Sequence, residues 1–491
     1  MVRATCIDRA RRAARVRLAA VLALAVLPGL QACGGGGGRP GGPPQAVTLT
    51  APAGFADGLA GMLTLSATAA ANAGTVAVEF QVDGVAVGGE DTTVPYAATI
   101  DTRQWASGQH VLRARGRDAA GNRSDWSGAV VRFAGSRDLP AGFSKNESWA
   151  GGLANATAFA QASDGRIFVA EQGGNLRIVK NGVLLAAPFA SLAVDSSGER
   201  GLIGVATHPD FASNRFVYVY HTRINGSARN NRVSRFVAMG DVATGPETVL
   251  IDLANLSGAS NHNGGGMKFG ADGKLYVAVG DNADGTLAQN LNHPFGKVLR
   301  LNDDGSIPAD NPFAGTSTGL GRAVWAYGLR NPFTLAVQPG TGRMHINDVG
   351  QNTWEEVNLG AAGANYGWPG SEGPANVTAG VTAPLFAYGH GPATPAGSGA
   401  GGFFTGQAIA GGAFYPASGG AGLVPAAYRG HYFFADFAGG FIGVLDFANA
   451  NANAQASSFA QVSGLPVDLL VGQDGALYVL TRGSIVRIAV L

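Results

Sequence analysis

Cysteine is nearly absent: the chain has two in 491 residues, and Cys6 lies within a removable leader. The mature chain therefore has no pair from which to build an internal disulfide. Charge is scarce as well, at 14% Asp, Glu, Lys and Arg with a formal net charge of +1. That balance offers no basic field for nucleic acid and no acidic run for a solvating tail. Beyond the N-terminal leader, no segment reaches the roughly 20 apolar residues of a membrane span without meeting a charge or a turn signal. Glycine, by contrast, is plentiful: 76 residues, about twice the usual ~7% share. The glycines fall in short turn-like clusters without a collagen period, as an all-β protein with many tight turns requires. With 46% hydrophobic residues the chain can build cores, and its length implies two or three domains.

The first residues read as an address and not as part of the fold. Arg3, Arg9, Arg11, Arg12, Arg15 and Arg17 precede an apolar run from Leu18 to Leu30. Leu30-Gln31-Ala32-Cys33 resembles a bacterial lipobox, which implies a leader over 1–32, cleavage before Cys33, and lipid on that cysteine. The alternative is plain secretion with Cys33 as a free thiol. Two or three acyl chains anchor a protein stably where one does not. A Gly/Pro tether follows over 33–45, with nothing to bury. The expected location is the bacterial cell envelope, at the outer membrane or facing the periplasm, held to the membrane by the lipid alone.

Over 46–135, six short segments alternate apolar and polar residues between Gly, Asn and Asp turns: VTLT, GMLTLSATA, VAVEFQVDG, YAATIDT, HVLRARGRD and AVVRF. Period-two alternation buries one face per strand and predicts a β-sandwich. GQHVLRARGRDAAGN (Gly108 to Asn122) resembles the last strands of bacterial Ig-like modules. Trp105 and Trp126 are either packing residues or platforms for carbohydrate. Over 140–491 a looser repeat of strand, glycine turn and return strand recurs six times, starting with DGRIFVAEQGGNLRIV (Asp164 to Val179) and ending with DGALYVLTRGSIVRIAV (Asp474 to Val490). Six such hairpins predict a six-bladed β-propeller. An early strand near Ser144 to Trp149 is expected to complete the last blade. The fold class is thus all-β, an Ig-like sandwich followed by a propeller. Asp164, Asp272 and Asp474, each before glycine, read as turn residues.

Four segments stand out chemically: GERGLIGVATHPDF (Gly198 to Phe211), NHNGGGMKFGADGKLYVAVGDN (Asn261 to Asn282), GLRNPF (Gly328 to Phe333), and DVGQNTWEEVN (Asp348 to Asn358) with NYGWP (Asn365 to Pro369). In that order they resemble the glucose/sorbosone dehydrogenase family, six-bladed propellers whose members oxidise sugars with pyrroloquinoline quinone (PQQ) and calcium. The resemblance covers roughly Phe143 to Leu491, and DVGQNTWEEVN is closer to its Hedgehog-interacting-protein-like branch. It implies His262 as general base and Arg330 as the cation beside the quinone oxygen. Glu199, Asn261, Asn331, Gly350 and Gln351 are the further cofactor contacts it implies. The Gly350 and Gln351 carbonyls would hold calcium, and Glu356 with Tyr366 match a second calcium region.

A base near ambient pH suits removal of a hydroxyl proton as hydride leaves. A fixed cation stabilises developing negative charge, and calcium takes hard oxygen donors. The same residues have plainer readings: His262 as a bonded bystander, Arg330 and Asn331 as strand caps, Glu355 and Glu356 as a solvated turn, His208 as a turn tie. The family's late lysine and arginine pair, which hold the quinone's carboxylates, fall near Ala438, Leu465 and Val467, none cationic; Arg482, Arg429 and His431 are candidate replacements. Three functions follow: sugar oxidation with a small sugar substrate and an unidentified electron acceptor; a non-catalytic glycan- or protein-binding propeller; and a calcium-dependent lactonase with Glu199, Asn261 and Asn347 as ligands.

Overall fold

The computed structural model describes residues 44 and 47–491, apart from 55, 71–73, 135–137, 375–376, 391–399, 418–424 and 447–454. The leader and Cys33 lie outside the described residues. No helix among the described residues is long and apolar enough to cross a membrane.

The alternating segments of the first domain form two sheets. Thr48–Ala51, Met62–Thr68 and Tyr96–Asp101 make one; Val85–Ala86, Thr75–Val82, Gly108–Asp118 and Ser127–Phe133 make the other. Their inward residues, among them Leu65, Val78, Phe80, Leu112 and Phe133, form one core. Trp105 packs edge-on against Phe133 and Trp126 lies under the Arg115 guanidinium, so both act as packing residues.

Six small sheets follow in order, built mainly from consecutive antiparallel strands; the outermost pair of the fourth, Phe386–Gly389 with Ala400–Thr405, is parallel. Their innermost strands are Ala156–Gln161, Leu202–Thr207, Met267–Phe269, Pro332–Val337, Ile409–Phe414 and Pro466–Val471. Each packs beside the next, and the last packs beside the first. The chain is a six-bladed propeller. Phe143–Gly151 pairs with the final strand Ser484–Val490 and closes the sixth blade, as the sequence predicts. Second strands such as Ile167–Glu171, Leu275–Val279 and Leu477–Thr481 are buried throughout, because blades cover both of their faces. The apolar residues gather into six clusters, one at each contact between neighbouring blades.

The aspartate-glycine turns hold the hairpins. Asp164, Asp272 and Asp474 each accept the backbone N–H two residues on, an Asx turn that fixes the corner. The same carboxylates meet Arg166, Arg300 and Arg487. Tyr276 and Tyr478 donate to the second oxygens of Asp272 and Asp474. His208 does tie a turn: its Nδ1 accepts from the Asp210 N–H.

The sandwich packs on the outer strands of the fifth blade. Arg113 pairs with Asp446 at 2.7 Å, and His431 reaches the same carboxylate at 3.0 Å. Gln109 Nε2 donates to the Ala456 carbonyl at 2.7 Å.

Candidate active site

The leading ends of the inner strands surround a cavity of about 330 Å³ on the propeller axis. Its wall takes residues from five of the six blades: Thr157 and Gln172, Glu199 and Ile203, Asn331 and Phe333 with Val349, Ala408 to Ala410 with Phe437, and Val467 with Arg482; the third blade reaches it through the bond of His262 to Glu199. Glu199 is the hinge of this arrangement. Its Oε2 accepts the His262 backbone N–H at 2.8 Å and Asn331 Nδ2 at 3.2 Å.

His262 sits beside the wall and not in it. Its Nδ1 is 2.7 Å from Asp281 Oδ1. The other Asp281 oxygen accepts Trp368 Nε1 at 2.8 Å, and Oδ1 also accepts the Ala283 N–H at 2.8 Å. Asp281 is 1% exposed. A buried carboxylate that accepts from every neighbour fixes the His262 Nδ1 as the protonated nitrogen, which leaves the Nε2 lone pair free. No hydrogen bond to Nε2 occurs among the described residues.

The backbone here is held in unusual conformations. His262, Asn282 and Ala283 have φ of 55°, 52° and 59°, three of the seven positive values among described non-glycine residues. Such conformations cost free energy and gather where surrounding structure enforces a function. Gly265 has φ of 126°, and a Cβ there would stand 2.5 Å from the Ile203 carbonyl. The glycine run after His262 is thus required for the close approach of the second and third blades.

Arg330 lies one residue before Asn331, beside a separate small cavity of about 10 Å³ that Asp348, Gly350, Glu356, Tyr366, Trp368 and Glu372 help to line. Its Nη1 donates to the Val349 and Gly350 carbonyls at 2.9 and 2.7 Å, and its guanidinium lies 5.7 Å from the Trp368 ring centre. The Arg330 Nε is buried without a partner. Asp348 accepts the Arg330 and Asn331 backbone N–H groups, so the arginine-asparagine turn does cap a strand while it lines the site. The plain reading of that pair, as a strand cap, holds.

Buried acid surrounds the small cavity. Burial, with Glu356 adding to it, pushes the Asp348 carboxyl well above the ordinary range. Burial pushes Glu356 up to about 7, against hydrogen bonds from Asn358 and the Gly373 N–H. Glu372 Oε1 collects the N–H groups of the 351–354 turn. Of the residues implied for calcium, Glu356 and Tyr366 do line this cavity; Tyr366 donates to the Leu359 carbonyl. The Gly350 carbonyl is engaged by Arg330, a cation that opposes a second cation at the same oxygen. Gln351 is exposed and its N–H is bound to Glu372. Asn261 is half-buried and lines neither cavity. Asn347, a candidate ligand of the lactonase reading, is bonded to Thr334, Gly411 and Tyr432. No group of three or more His, Cys, Asp and Glu side chains among the described residues is placed to hold a metal ion.

The flat tricarboxylate that the sequence resemblance implies can be tested against the axial wall. Ile203, Phe333, Val349, Ile409, Phe437 and Val467 suit the faces of a ring system. Phe437 and Val467 stand where the late cations of the family were sought, and they are apolar. Arg482 supplies a guanidinium in the same wall that forms no ion pair among the described residues. Arg429 and His431 are not in that wall, and His431 is bound to Asp446 at the sandwich. The apolar faces and the Arg482 guanidinium of this wall fit a flat anionic ring system.

Reasoning from sequence left Trp368, Glu372 and Lys297 without roles. Lys297 is wholly buried, with Nζ on the Leu287, Ala288 and Phe295 carbonyls. Burial brings its ammonium down to about 7 while Asp281 opposes the shift. It fixes the turn over Gly285–Gln289, against which Trp368 packs. A lysine at an inward position of the apolar strand KVLRL is the signal that marks it.

Comparisons with known proteins agree with the fold. A family model described as Glucose / Sorbosone dehydrogenase matches residues 153–489, and one described as Bacterial Ig domain matches residues 46–114. Quinoprotein glucose dehydrogenase B of Acinetobacter calcoaceticus is 34% identical over 203 residues, 36% of this chain and 42% of that protein. HIPL1 protein of Arabidopsis thaliana is 38% identical over 136 residues, 23% of this chain and 19% of that protein. The crystal structure of the soluble aldose sugar dehydrogenase from Escherichia coli in the apo-form superposes with a TM-score of 0.61 at 25% identity, covering 71% of this chain and 100% of that one. The chain spans about half the length of the curated relatives it matches.

Proposed function

The chain belongs to the glucose/sorbosone dehydrogenase family, and we propose that it is an exported, lipid-anchored sugar dehydrogenase that oxidises an aldose or sugar derivative with PQQ. The observation that carries this reading is the His262–Asp281–Trp368 chain beside an apolar axial cavity whose far wall holds an unpaired guanidinium. PQQ, when bound, supplies the two-electron acceptor that no side chain provides. Arg482 and Asn331, which line the axial cavity, are the residues that would hold it.

The chain's own work is to position the sugar and manage its proton. His262 Nε2 takes the hydroxyl proton as the C–H bond at the same carbon gives up its hydride and the carbonyl forms. Asp281 then faces an imidazolium at hydrogen-bond distance, which it stabilises by charge. Trp368 and the Ala283 N–H keep Asp281 in place. Apolar walls exclude water and strengthen each of these interactions. Calcium belongs to this reading by family resemblance alone: the small cavity brings Asp348, Glu356 and Tyr366 together, but no three acidic or histidine ligands among the described residues are placed to hold an ion.

A second reading is favoured by one feature: a wall with few charges equally suits a propeller that binds a glycan or protein without turnover. The two readings separate in one experiment. The protein is loaded with PQQ and calcium and offered a panel of aldoses with an electron-accepting dye. Sugar-dependent dye reduction, with the matching lactone or acid as product, supports the dehydrogenase. Saturable sugar binding without any product leaves the binding module.

A further inference from the structure

The buried arginines of this protein follow a rule. Arg113, Arg166, Arg200 and Arg300 each carry an aspartate partner within 3.0 Å. Arg482 breaks it. It sits in the turn between the second and third strands of the sixth blade, half-buried. Its Nη1 donates to the Ala156 carbonyl at 3.1 Å and its Nη2 to Gln172 Oε1. Both acceptors are neutral, and no carboxylate lies within ion-pair reach among the described residues. Gln172 is itself pinned, with Nε2 on the Gly198 and Arg200 carbonyls at 2.7 and 2.9 Å. The guanidinium is therefore braced against the loop that carries Glu199 and held at the cavity wall.

A partly desolvated cation with only dipoles around it is unfavourable unless an anion completes the site. In a ring of six blades the sixth stands opposite the third, so Arg482 lies across the axis from the blade that carries His262. The undescribed propeller residues contain no Lys or Arg, so none of them supplies a second cation to this wall. We propose that Arg482 is the receptor for one carboxylate of the ligand that fills the axial cavity. Gln172 acts as its positioning residue. The identity of that ligand as PQQ rests on the reading above; the carboxylate chemistry does not.

With a single cation in the wall, anion binding depends on one charge-assisted contact, planar and two-pronged on the guanidinium side. The test uses equilibrium binding by the whole chain, read by calorimetry, with three probes: PQQ, its neutral trimethyl ester, and pyridine-2,6-dicarboxylate. Arg482→Gln is expected to weaken PQQ at least ~30-fold and Arg482→Lys less than about tenfold, on the scale of truncated charge pairs. The ester is expected to bind wild type and both variants within about threefold of one another. Equal PQQ affinity in wild type and Arg482→Gln would overturn the proposal while leaving the quinone reading in place. If wild type binds the dicarboxylate through Arg482 but not PQQ, the anion receptor stands and the quinone reading falls. Binding of neither by wild type overturns both. Should Arg482→Gln fail to fold, Arg482→Lys decides: unchanged salt dependence with affinity below wild type supports the proposal, and wild-type affinity in the absence of the planar fork contradicts it.

Discussion

Replacing Asp281 by Asn changes one atom and separates charge from shape in the proposed base. Asp281 Oδ1 accepts from both His262 Nδ1 and the Ala283 N–H, while Oδ2 accepts only from Trp368 Nε1. An asparagine therefore settles with its amide nitrogen on the Trp368 side. There it faces an N–H donor and loses one bond, but its oxygen still accepts from His262, and the imidazole keeps its tautomer. What disappears is the charge opposite the imidazolium. A unit charge pair at about 4 Å between centres is worth roughly 4 kcal/mol at an effective dielectric of 20. At about 1.4 kcal/mol per tenfold, that is close to a 1,000-fold loss in rate. The assay is single-turnover sugar oxidation by the PQQ-loaded protein, with PQQ affinity measured alongside. Affinity is expected to stay within about threefold, because Asp281 does not line the axial cavity. A variant that oxidises sugar within about fivefold of wild type would refute the argument that this carboxylate stabilises a charged His262.

Three further outcomes follow from the same structure. Trp368→Phe keeps the packing but removes the donor to Asp281, so sugar oxidation should slow about tenfold with folding unchanged, as steady-state rates and melting curves would show. Glu247 is raised by burial, but His221, Ser234 and Arg232 outweigh that and hold it down to about 2. Its folded value lies below the unfolded one, so its contribution is full above pH ~4.5 and is lost as pH falls through about 2; Glu247→Gln should cost about 2 kcal/mol in urea unfolding at pH 7 and little near pH 2. Arg113→Ala leaves Asp446 with His431 at the seam between the sandwich and the fifth blade, which should cost ~3 kcal/mol and split a single calorimetric transition into two.

The blades were legible because each hairpin carries its own instructions. Asp272, Gly273 and the alternating strand that follows specify a corner, a direction and a buried face within ten residues, and the same grammar recurs at Asp164 and Asp474. The closing strand could be placed because SIVRIAV ended the chain with no partner of its own. Site residues within those motifs, such as Glu199, His262 and Asn331, were legible by resemblance, and the structure does bring them together. Arg482 was only one candidate among three, since its distance of over 300 residues from Gln172 and Ala156 hides their contact. Trp368 was hidden for the same reason: nothing local in NYGWP says that its indole reaches an aspartate 87 residues earlier. The Gly350 carbonyl expected to face an ion is instead bound by Arg330, 20 residues earlier in the chain, a contact that strand pairing creates.

The central claim is that His262 is the base of a quinone-dependent sugar oxidation. The most direct test loads one equivalent of PQQ with calcium into wild type and His262→Ala, then mixes each with aldose in the absence of oxygen and follows the quinone absorbance. The account predicts equal PQQ affinity in both proteins, rapid sugar-dependent bleaching in wild type, and bleaching slowed at least ~100-fold in the variant. Bleaching at the wild-type rate in His262→Ala, or a PQQ spectrum that no aldose changes in wild type, would contradict it.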